Sequence, residues 1–216
     1  MKLPVTLHRA RLGAEEFQVI RPARPPERAV LVDDGWFLNV HVDREGGRLI
    51  AGLWALAASS PRSLVHLPLR RPGGVEAGAR TLDLVLLHHS LQFAPARWKG
   101  LRARLGAGRP QSLTVSDSYP RMDHAALHHA ENRDLFHQHV HAETLFMTGS
   151  AKVFRETAGL FREVADEGPG HVHGRFRSAH YCATLRTGTG RGRELHIQYS
   201  QGRSAGQDRD EDRPPT

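Results

Sequence analysis

The stretch that decides the fold runs from Leu135 to Gly174 and reads LFHQHVHAETLFMTGSAKVFRETAGLFREVADEGPGHVHG. An alternating segment comes first, a Gly-Ser turn follows it, and Gly-Pro-Gly interrupts the chain before the final His-Val-His. Between the turn and Gly-Pro-Gly, positions that can be buried recur at the spacing of an amphipathic helix over 150–166: Val153, Phe154, Thr157, Leu160, Phe161 and Val164. The stretch predicts a strand, a helix and then a second strand over 171–185.

Two earlier parts of the chain show the same order. Asp34-Gly35 lies between β-branched and aromatic residues and predicts a hairpin over 28–43, with Trp36 and Leu38 on one face of its second arm. The elements predicted after it are helix 48–59, strand 63–69, strand 81–90, helix 94–105 and strand 111–117. The prediction is completed by two short strands over 5–20, a short helix over 121–133 and a last strand over 194–200. The fold class is therefore α/β or α+β: a mixed β-sheet with about three strand–helix–strand units, the helices packed on the sheet.

Composition along the chain predicts four segments. A Pro- and Arg-rich loop closes an N-terminal segment of short strands, and a polar, mixed-charge tail ends the chain. The segments are 1–27 with the N-terminal strands and the loop, 28–120 as a first α/β half, 121–203 as a second half with the His-rich strand, and 204–216 as a disordered tail. Sequence alone leaves open whether the two halves form one domain or two.

The composition is that of a soluble globular protein, since 39% of the 216 residues are hydrophobic and 25% are charged. No apolar run approaches the roughly 20 residues that a membrane-spanning helix needs, and the first residues carry no apolar leader segment. Cys182 is the single cysteine, which excludes an internal disulfide and fits a reducing compartment. We therefore expect a cytoplasmic protein without membrane partners.

The charge of the chain does not by itself select a nucleic-acid partner. The formal net charge at pH 7 is +7, and a basic surface is typical of nucleic-acid binding. The basic residues are scattered rather than gathered on one periodic face, however, and only three of the 30 are lysine. Nucleic acid therefore ranks below a protein partner, with a homo-oligomer as the other alternative.

A cluster of histidines carries the candidate chemistry. His137, His139, His141 and Glu143 alternate, so on a strand all four side chains project from one face. Three imidazoles and a carboxylate can form the ligands of Zn, Fe, Mn or Ni. Their spacing resembles the first metal-binding motif of cupins, and that resemblance implies His173 as a further ligand. The other interpretation is a solvent-facing polar strand with no cofactor, and this is the one that we favour.

A second resemblance covers residues 142–200. Their order is AETLFMTGS, an amphipathic helix, GHVH and a hairpin that ends in ELHIQYS. This order is similar to small bacterial immunity proteins of polymorphic toxin systems, which implies a non-enzymatic protein that neutralises a partner by occluding its surface. The candidate partner-binding residues in this region are His171, His173, Arg175 and Arg177. The alternative function is a metal-dependent enzyme that uses the histidine cluster, so whether the chain is an enzyme stays open.

Overall fold

A computed structural model describes residues 1–70, 79–120, 134–173, 181–185 and 193–200. These residues form eleven strands and three helices. In chain order the strands are β1 (Lys2–Leu12), β2 (Glu15–Pro22), β3 (Val30–Asp33), β4 (Leu38–Val42), β5 (Ser63–Leu67), β6 (Arg80–His88), β7 (Arg109–Thr114), β8 (His137–His141), β9 (Thr144–Gly149), β10 (Cys182–Leu185) and β11 (Leu195–Tyr199). The helices are α1 (Arg44–Ser59), α2 (Trp98–Arg102) and α3 (Ala151–His173).

The eleven strands belong to one mixed sheet. Its main path runs β10-β11-β4-β3-β6-β5-β2-β1-β7, and the β8–β9 hairpin joins it at β6. β6 is the central strand, because Leu84–Leu87 pair with β5 on one edge and with β9 on the other. The pairs β4–β11, β2–β5 and β6–β9 are parallel. The predicted mixed sheet is confirmed, and its three strand–helix–strand units are β4–α1–β5, β6–α2–β7 and β9–α3–β10.

Two helices cover one face of the sheet. α1 and α3 pack against each other and against apolar side chains of the strands. Trp54 of α1 is fully buried, and its ring lies 5.7 Å from Phe154 and 4.8 Å from Phe161, measured between ring centroids. Its indole nitrogen donates a hydrogen bond of 2.8 Å to the Thr157 hydroxyl. The amphipathic stripe predicted for α3 is therefore the surface that packs on α1.

A smaller core lies on the opposite face of the sheet. Trp98 of α2 is fully buried there, and its indole nitrogen donates a hydrogen bond of 3.1 Å to the Thr144 hydroxyl. α2 has only five residues and follows a 3-10 turn at Pro95–Arg97. The helix predicted over 94–105 is therefore wrong at both ends. The amide of Arg97, before α2, and those of Arg104 and Leu105, after it, donate to carbonyl groups three residues earlier, which is 3-10 geometry.

The helix α3 continues through Pro169, where the sequence predicted a break and a strand over 171–185. In the described residues, the part of that strand that forms is β10. Packing explains the difference, because Gly168 lies directly against Tyr199 of β11. A β-carbon at Gly168 would come within 2.4 Å of the Tyr199 ring. The sheet thus holds the last turns of α3, although proline removes one backbone hydrogen bond.

A hairpin replaces the single strand that was predicted at the histidine cluster. β8 and β9 pair in antiparallel fashion through a turn at Ala142 and Glu143. Both residues have positive φ, 47° and 57°, which is strained for residues with a side chain. The Asp83 amide donates a hydrogen bond of 2.9 Å to the Glu143 carbonyl, and Arg70 forms an ion pair with the Glu143 carboxylate. These contacts hold a turn that lacks the usual Asn-Gly or Asp-Gly signal.

Two predicted elements, the helix over 121–133 and the tail over 204–216, lie outside the described residues. The predicted segments 1–27, 28–120 and 121–203 all contribute strands to the one sheet. Within the described ranges, no helix is long and apolar enough to cross a membrane.

Candidate functional site

Two aromatic side chains project from the loop between β3 and β4. Trp36 is 84% exposed and Phe37 is 45% exposed, and no other large hydrophobic side chain in the described residues is exposed. Tryptophan is the residue type that most often anchors a protein–protein interface, because its large ring buries much area at a small entropic cost. We call residues 34–37 the aromatic tip.

Asp34 fixes the backbone of the aromatic tip. Its carboxylate accepts hydrogen bonds from the amide of Trp36 at 2.9 Å and from the amide of Phe37 at 2.6 Å. It also accepts one from the Asn39 side chain at 3.1 Å. These bonds hold the pKa of the Asp34 carboxyl below its usual range, and the bond from the Phe37 amide contributes most to this. Gly35 has a φ of 93°, where glycine is favoured, so the Asp-Gly pair both makes the turn and orients the rings.

Asp33 ties the aromatic tip to the sheet. Its side chain is 2% exposed and accepts hydrogen bonds from the Gly35 amide at 3.0 Å and from Arg80 at 2.8 Å. Arg193, just before β11, forms an ion pair with the same carboxylate. Burial alone would raise the pKa of Asp33, but the hydrogen bonds from Arg193, Arg80 and Gly35 lower it to about 2. The charged carboxylate therefore joins β3, β6 and the start of β11 at the base of the tip.

The part of the sheet beside the tip turns a polar face away from α1 and α3. The two helices pack on the side where Leu38, Val40, Leu195 and Ile197 are fully buried. Alternation along the strands places the intervening side chains on the other side. These side chains are half-buried, and they are Val30, Val32, Asn39, His41, His196 and Gln198. We call this set the open face.

The aromatic tip lies at the border of the open face. The Phe37 ring packs on the His196 ring with their centroids 4.8 Å apart. Within the open face, the Gln198 amide donates a hydrogen bond of 3.4 Å to the Asn39 side chain, and burial lowers the pKa of His41. This surface therefore offers imidazole and amide hydrogen-bonding groups beside two exposed rings.

The histidine cluster lies elsewhere, on the edge strand β8. His137 and His139 are exposed and His141 is half-buried, and alternation places the three on one face, as predicted. The rings of His139 and His141 stack with their centroids 6.3 Å apart. Glu143 was predicted on the same face, and this was wrong, because it occupies the turn and its carboxylate pairs with Arg70.

The other predicted site residues lie at the end of α3 or outside the described residues. His173 is the last residue of α3 and not part of a strand. His171, also in α3, stacks on Tyr181 with ring centroids 4.5 Å apart, and Arg175 and Arg177 lie outside the described residues. Among the residues that the structure describes, no group of three or more His, Cys, Asp and Glu side chains is placed to hold a metal ion. Metal binding by the histidine cluster stays a prediction.

A buried histidine under α2 is a further titratable feature. His66 of β5 is 2% exposed, and its Nδ1 accepts a hydrogen bond of 2.9 Å from Arg21 Nε. Since that arginine nitrogen always carries a hydrogen, the bond holds His66 neutral with its proton on Nε2. Nε2 lies 3.7 Å from Asp83 Oδ2, too far for a hydrogen bond. The Trp98 ring and Arg102, whose Nη1 is 3.4 Å from the same Asp83 oxygen, close the site from α2.

We expect stability to fall as the pH is lowered from about 7 to about 5. Burial lowers the pKa of His66, with the charge of Arg21 acting in the same direction and Asp83 opposing it. Burial also lowers the pKa of His8 and of His41. The unfolded chain therefore binds more protons than the folded chain near pH 6. Their contribution to stability is complete above the unfolded pKa of about 6.5 and is lost as the pH falls.

Urea unfolding at several pH values in this range measures the effect, and His66→Gln supplies the control. Glutamine can still accept the hydrogen bond from Arg21 but does not titrate. The variant should therefore lose less stability between neutral and mildly acidic pH than the wild-type chain. A wild-type stability that stays constant across the range would contradict the prediction.

Comparison of the chain with protein-family models finds no match, and comparisons with curated proteins and with solved structures find none either. The resemblances to immunity proteins and to a cupin motif therefore stay predictions. What marks the site is its own geometry, an exposed tryptophan on a backbone that two aspartates hold in place.

The aromatic tip was missed by reasoning from the sequence. Alternation in the arm after Asp34-Gly35 predicted that Trp36 lies on the same face of a half-buried strand as Leu38. β4 begins only at Leu38, so Trp36 belongs to the loop and not to the strand. The available signal was composition, because Trp36 and Phe37 stand at a turn, where Gly, Pro, Asn, Asp and Ser dominate.

Proposed function

We propose that this protein is a non-catalytic binding protein that inserts Trp36 into an apolar pocket of a partner protein. Phe37 and the open face lie against the partner around that anchor. The observation that carries the proposal is the 84% exposure of Trp36 on a loop whose amides are bound by Asp34. Interfaces obtain most of their binding energy from a few such anchors, with tryptophan foremost.

The fixed backbone of the tip supports this function. A flexible loop would lose backbone conformational freedom on binding, at a cost of about 1–2 kcal/mol for each residue that becomes ordered. In this loop the ordering has already occurred on folding, because Asp34 binds the amides of Trp36 and Phe37. Asp33 and Arg193 hold its base. The tip is therefore preorganised, which favours specific and tight association.

The local charge favours a protein partner over nucleic acid. A platform that stacks bases needs unpaired basic side chains beside its aromatic rings to contact the phosphates. Arg80 and Arg193 are the basic residues described at the base of the tip, and both are paired with Asp33. The Asp34 carboxylate adds negative charge at the tip itself. Among the described residues, the tip therefore does not share the basic character of the whole chain, whose net charge is +7. It suits a partner protein whose surface is largely uncharged and offers hydrogen-bonding groups.

Recovery of partners from an extract of the native host tests this function. The chain and its Trp36→Ala variant are used as matched baits. The control is Arg155→Ala, at an exposed residue of α3 whose side chain, among the residues that the structure describes, bonds only the Ala151 carbonyl of its own helix. A protein recovered in stoichiometric amount with the wild-type chain and the control, but not with Trp36→Ala, supports the proposal. Equal recovery with all three baits would contradict it. A toxin among the recovered proteins would in addition support the immunity-like role.

A metal-dependent enzyme is the second candidate function. The observation in its favour is that His137, His139 and His141 share one face of β8, with two of the rings stacked. Three imidazoles and a water molecule can complete a catalytic metal site, whereas the carboxylate of Glu143, a further ligand predicted from the sequence, is engaged with Arg70.

Elemental analysis of protein purified without a His tag distinguishes the two functions. For a non-catalytic binding protein we expect zinc, iron, manganese and nickel well below one ion per chain, with no change in His139→Ala. A stoichiometric metal that is lost from His139→Ala would instead favour the enzyme.

A further inference from the structure

A groove of about 400 Å³ lies where β7 begins to pair with β1. Leu7, His8, Arg9, Gly108, Arg109 and Gln111 line most of it. Its volume falls in the range of about 300–1,000 Å³ that is common for small-molecule sites. It belongs neither to the aromatic tip nor to the open face, and the proposed function does not use it.

One wall of the groove is a loop that is held tightly on β1. Gly108 has a φ of 74°, and a β-carbon there would lie 2.5 Å from Thr6 and 2.7 Å from the His8 ring. Nδ1 of His8 donates a hydrogen bond of 2.8 Å to the Gly106 carbonyl. His8 is itself 6% exposed. The groove is thus a built feature with fixed walls.

Two arginines at the groove have little compensation from acidic groups. Arg109 pairs with Leu7 across the two strands. Arg9 lies two residues beyond Leu7 on β1 and therefore on the same face of the sheet. It is a diagonal neighbour of Arg109, and the Cα atoms of such neighbours are about 7–8 Å apart. Within the described residues, Arg109 has no ion pair. Arg9 has one acidic partner in the described part of the chain, Glu16, at 4.0 Å with both side chains more than half exposed, which is a weak interaction.

We propose that this groove binds the phosphate group of a small phosphorylated molecule. A phosphate monoester carries a charge of about −1.5 to −2 near pH 7, which matches Arg9 and Arg109 together. The planar guanidinium group binds phosphate oxygens in bidentate geometry. Leu7 offers an apolar contact and Gln111 an amide for the rest of the ligand. A single carboxylate has half the charge and would leave one arginine without a partner.

Calorimetric titration of the chain with phenyl phosphate and with benzoate, at constant ionic strength, tests the proposal. Both probes carry one aromatic ring, so they differ in the anionic group. We expect phenyl phosphate to bind about tenfold more tightly than benzoate, or better. We expect Arg109→Gln and Arg9→Gln each to weaken it by about tenfold, because each removes charged hydrogen bonds. Arg155→Gln, which removes one positive charge on α3, should leave the affinity unchanged.

Three results would overturn the proposal: no binding of phenyl phosphate at millimolar concentration, equal affinity for the two probes, or equal weakening by Arg155→Gln and Arg109→Gln. The last result would mean that net charge alone attracts the anion. Arg9 is largely exposed and Arg109 is exposed at the start of an edge strand, so the variants should fold. Thermal unfolding verifies this before the titrations.

Discussion

Trp54→Ala is expected to lower the free energy of unfolding by about 3–5 kcal/mol. Trp54 is fully buried between α1 and α3, and its ring contacts Phe136, Phe154 and Phe161. Truncation would open a large cavity between the two helices and would leave the Thr157 hydroxyl without its indole donor. Urea unfolding followed by circular dichroism measures the change.

Trp36→Ala is the matched control for this prediction, because it removes the same side chain from an exposed position. Trp36 is 84% exposed, so its loss should change stability by less than about 0.5 kcal/mol. If the two variants lost similar stability, Trp36 would be part of the core, and the assignment of the aromatic tip as a binding surface would fail.

Asp33→Asn is expected to loosen the base of the aromatic tip. The pKa of Asp33 is lowered to about 2 from 3.8, and a shift of this size corresponds to about 2 kcal/mol of stability at neutral pH. The side chain of Arg80 is 62% exposed, so solvent screening reduces the expected loss to about 1–2 kcal/mol. Partner binding should weaken together with stability, because the tip loses its attachment to β6 and β11.

The pH dependence of the Asp33→Asn effect provides a specific check. A carboxyl group with a lowered folded pKa stabilises fully above its unfolded pKa, near 4, and this contribution disappears as the pH falls toward about 2. The difference between wild type and variant should therefore be present at neutral pH and vanish in strong acid. Glu156→Gln removes a carboxylate whose partner, Lys152, is 3.9 Å away, and it should have little effect at any pH. An equal loss in both variants would contradict the special role of Asp33.

The elements that could be predicted from the sequence are those with a local cause. Asp34-Gly35 specifies its turn because glycine adopts positive φ and aspartate binds the following amides. The stripe from Val153 to Val164 specifies α3 because one face of the helix is apolar. Neither signal depends on distant residues, and both elements are present in the fold.

The elements that could not be predicted depend on contacts between distant parts of the chain. α3 passes Pro169 because Gly168 packs on Tyr199, which is a contact with a strand from later in the sequence. The turn at Ala142 and Glu143 has no glycine and is held by Arg70 and the Asp83 amide. Local propensity gives no information about either contact.

The candidate site could be predicted only in part, for the same reason. The shared face of the three histidines follows from alternation along β8. The position of Trp36 depends on where β4 begins, and alternation does not determine the start of a strand. The ion pairs with Asp33 bring together Arg80 and Arg193, which are 113 residues apart in the sequence. No sequence pattern marks that association.

The affinity of the purified partner for the wild-type chain, Trp36→Ala and Arg155→Ala tests the central claim most directly. We expect Trp36→Ala to weaken binding by about 30-fold or more, equivalent to about 2 kcal/mol. Its unfolding curve should be unchanged, and Arg155→Ala should bind like the wild-type chain. A partner that binds Trp36→Ala as tightly as the wild-type chain would show that the aromatic tip is not the binding surface.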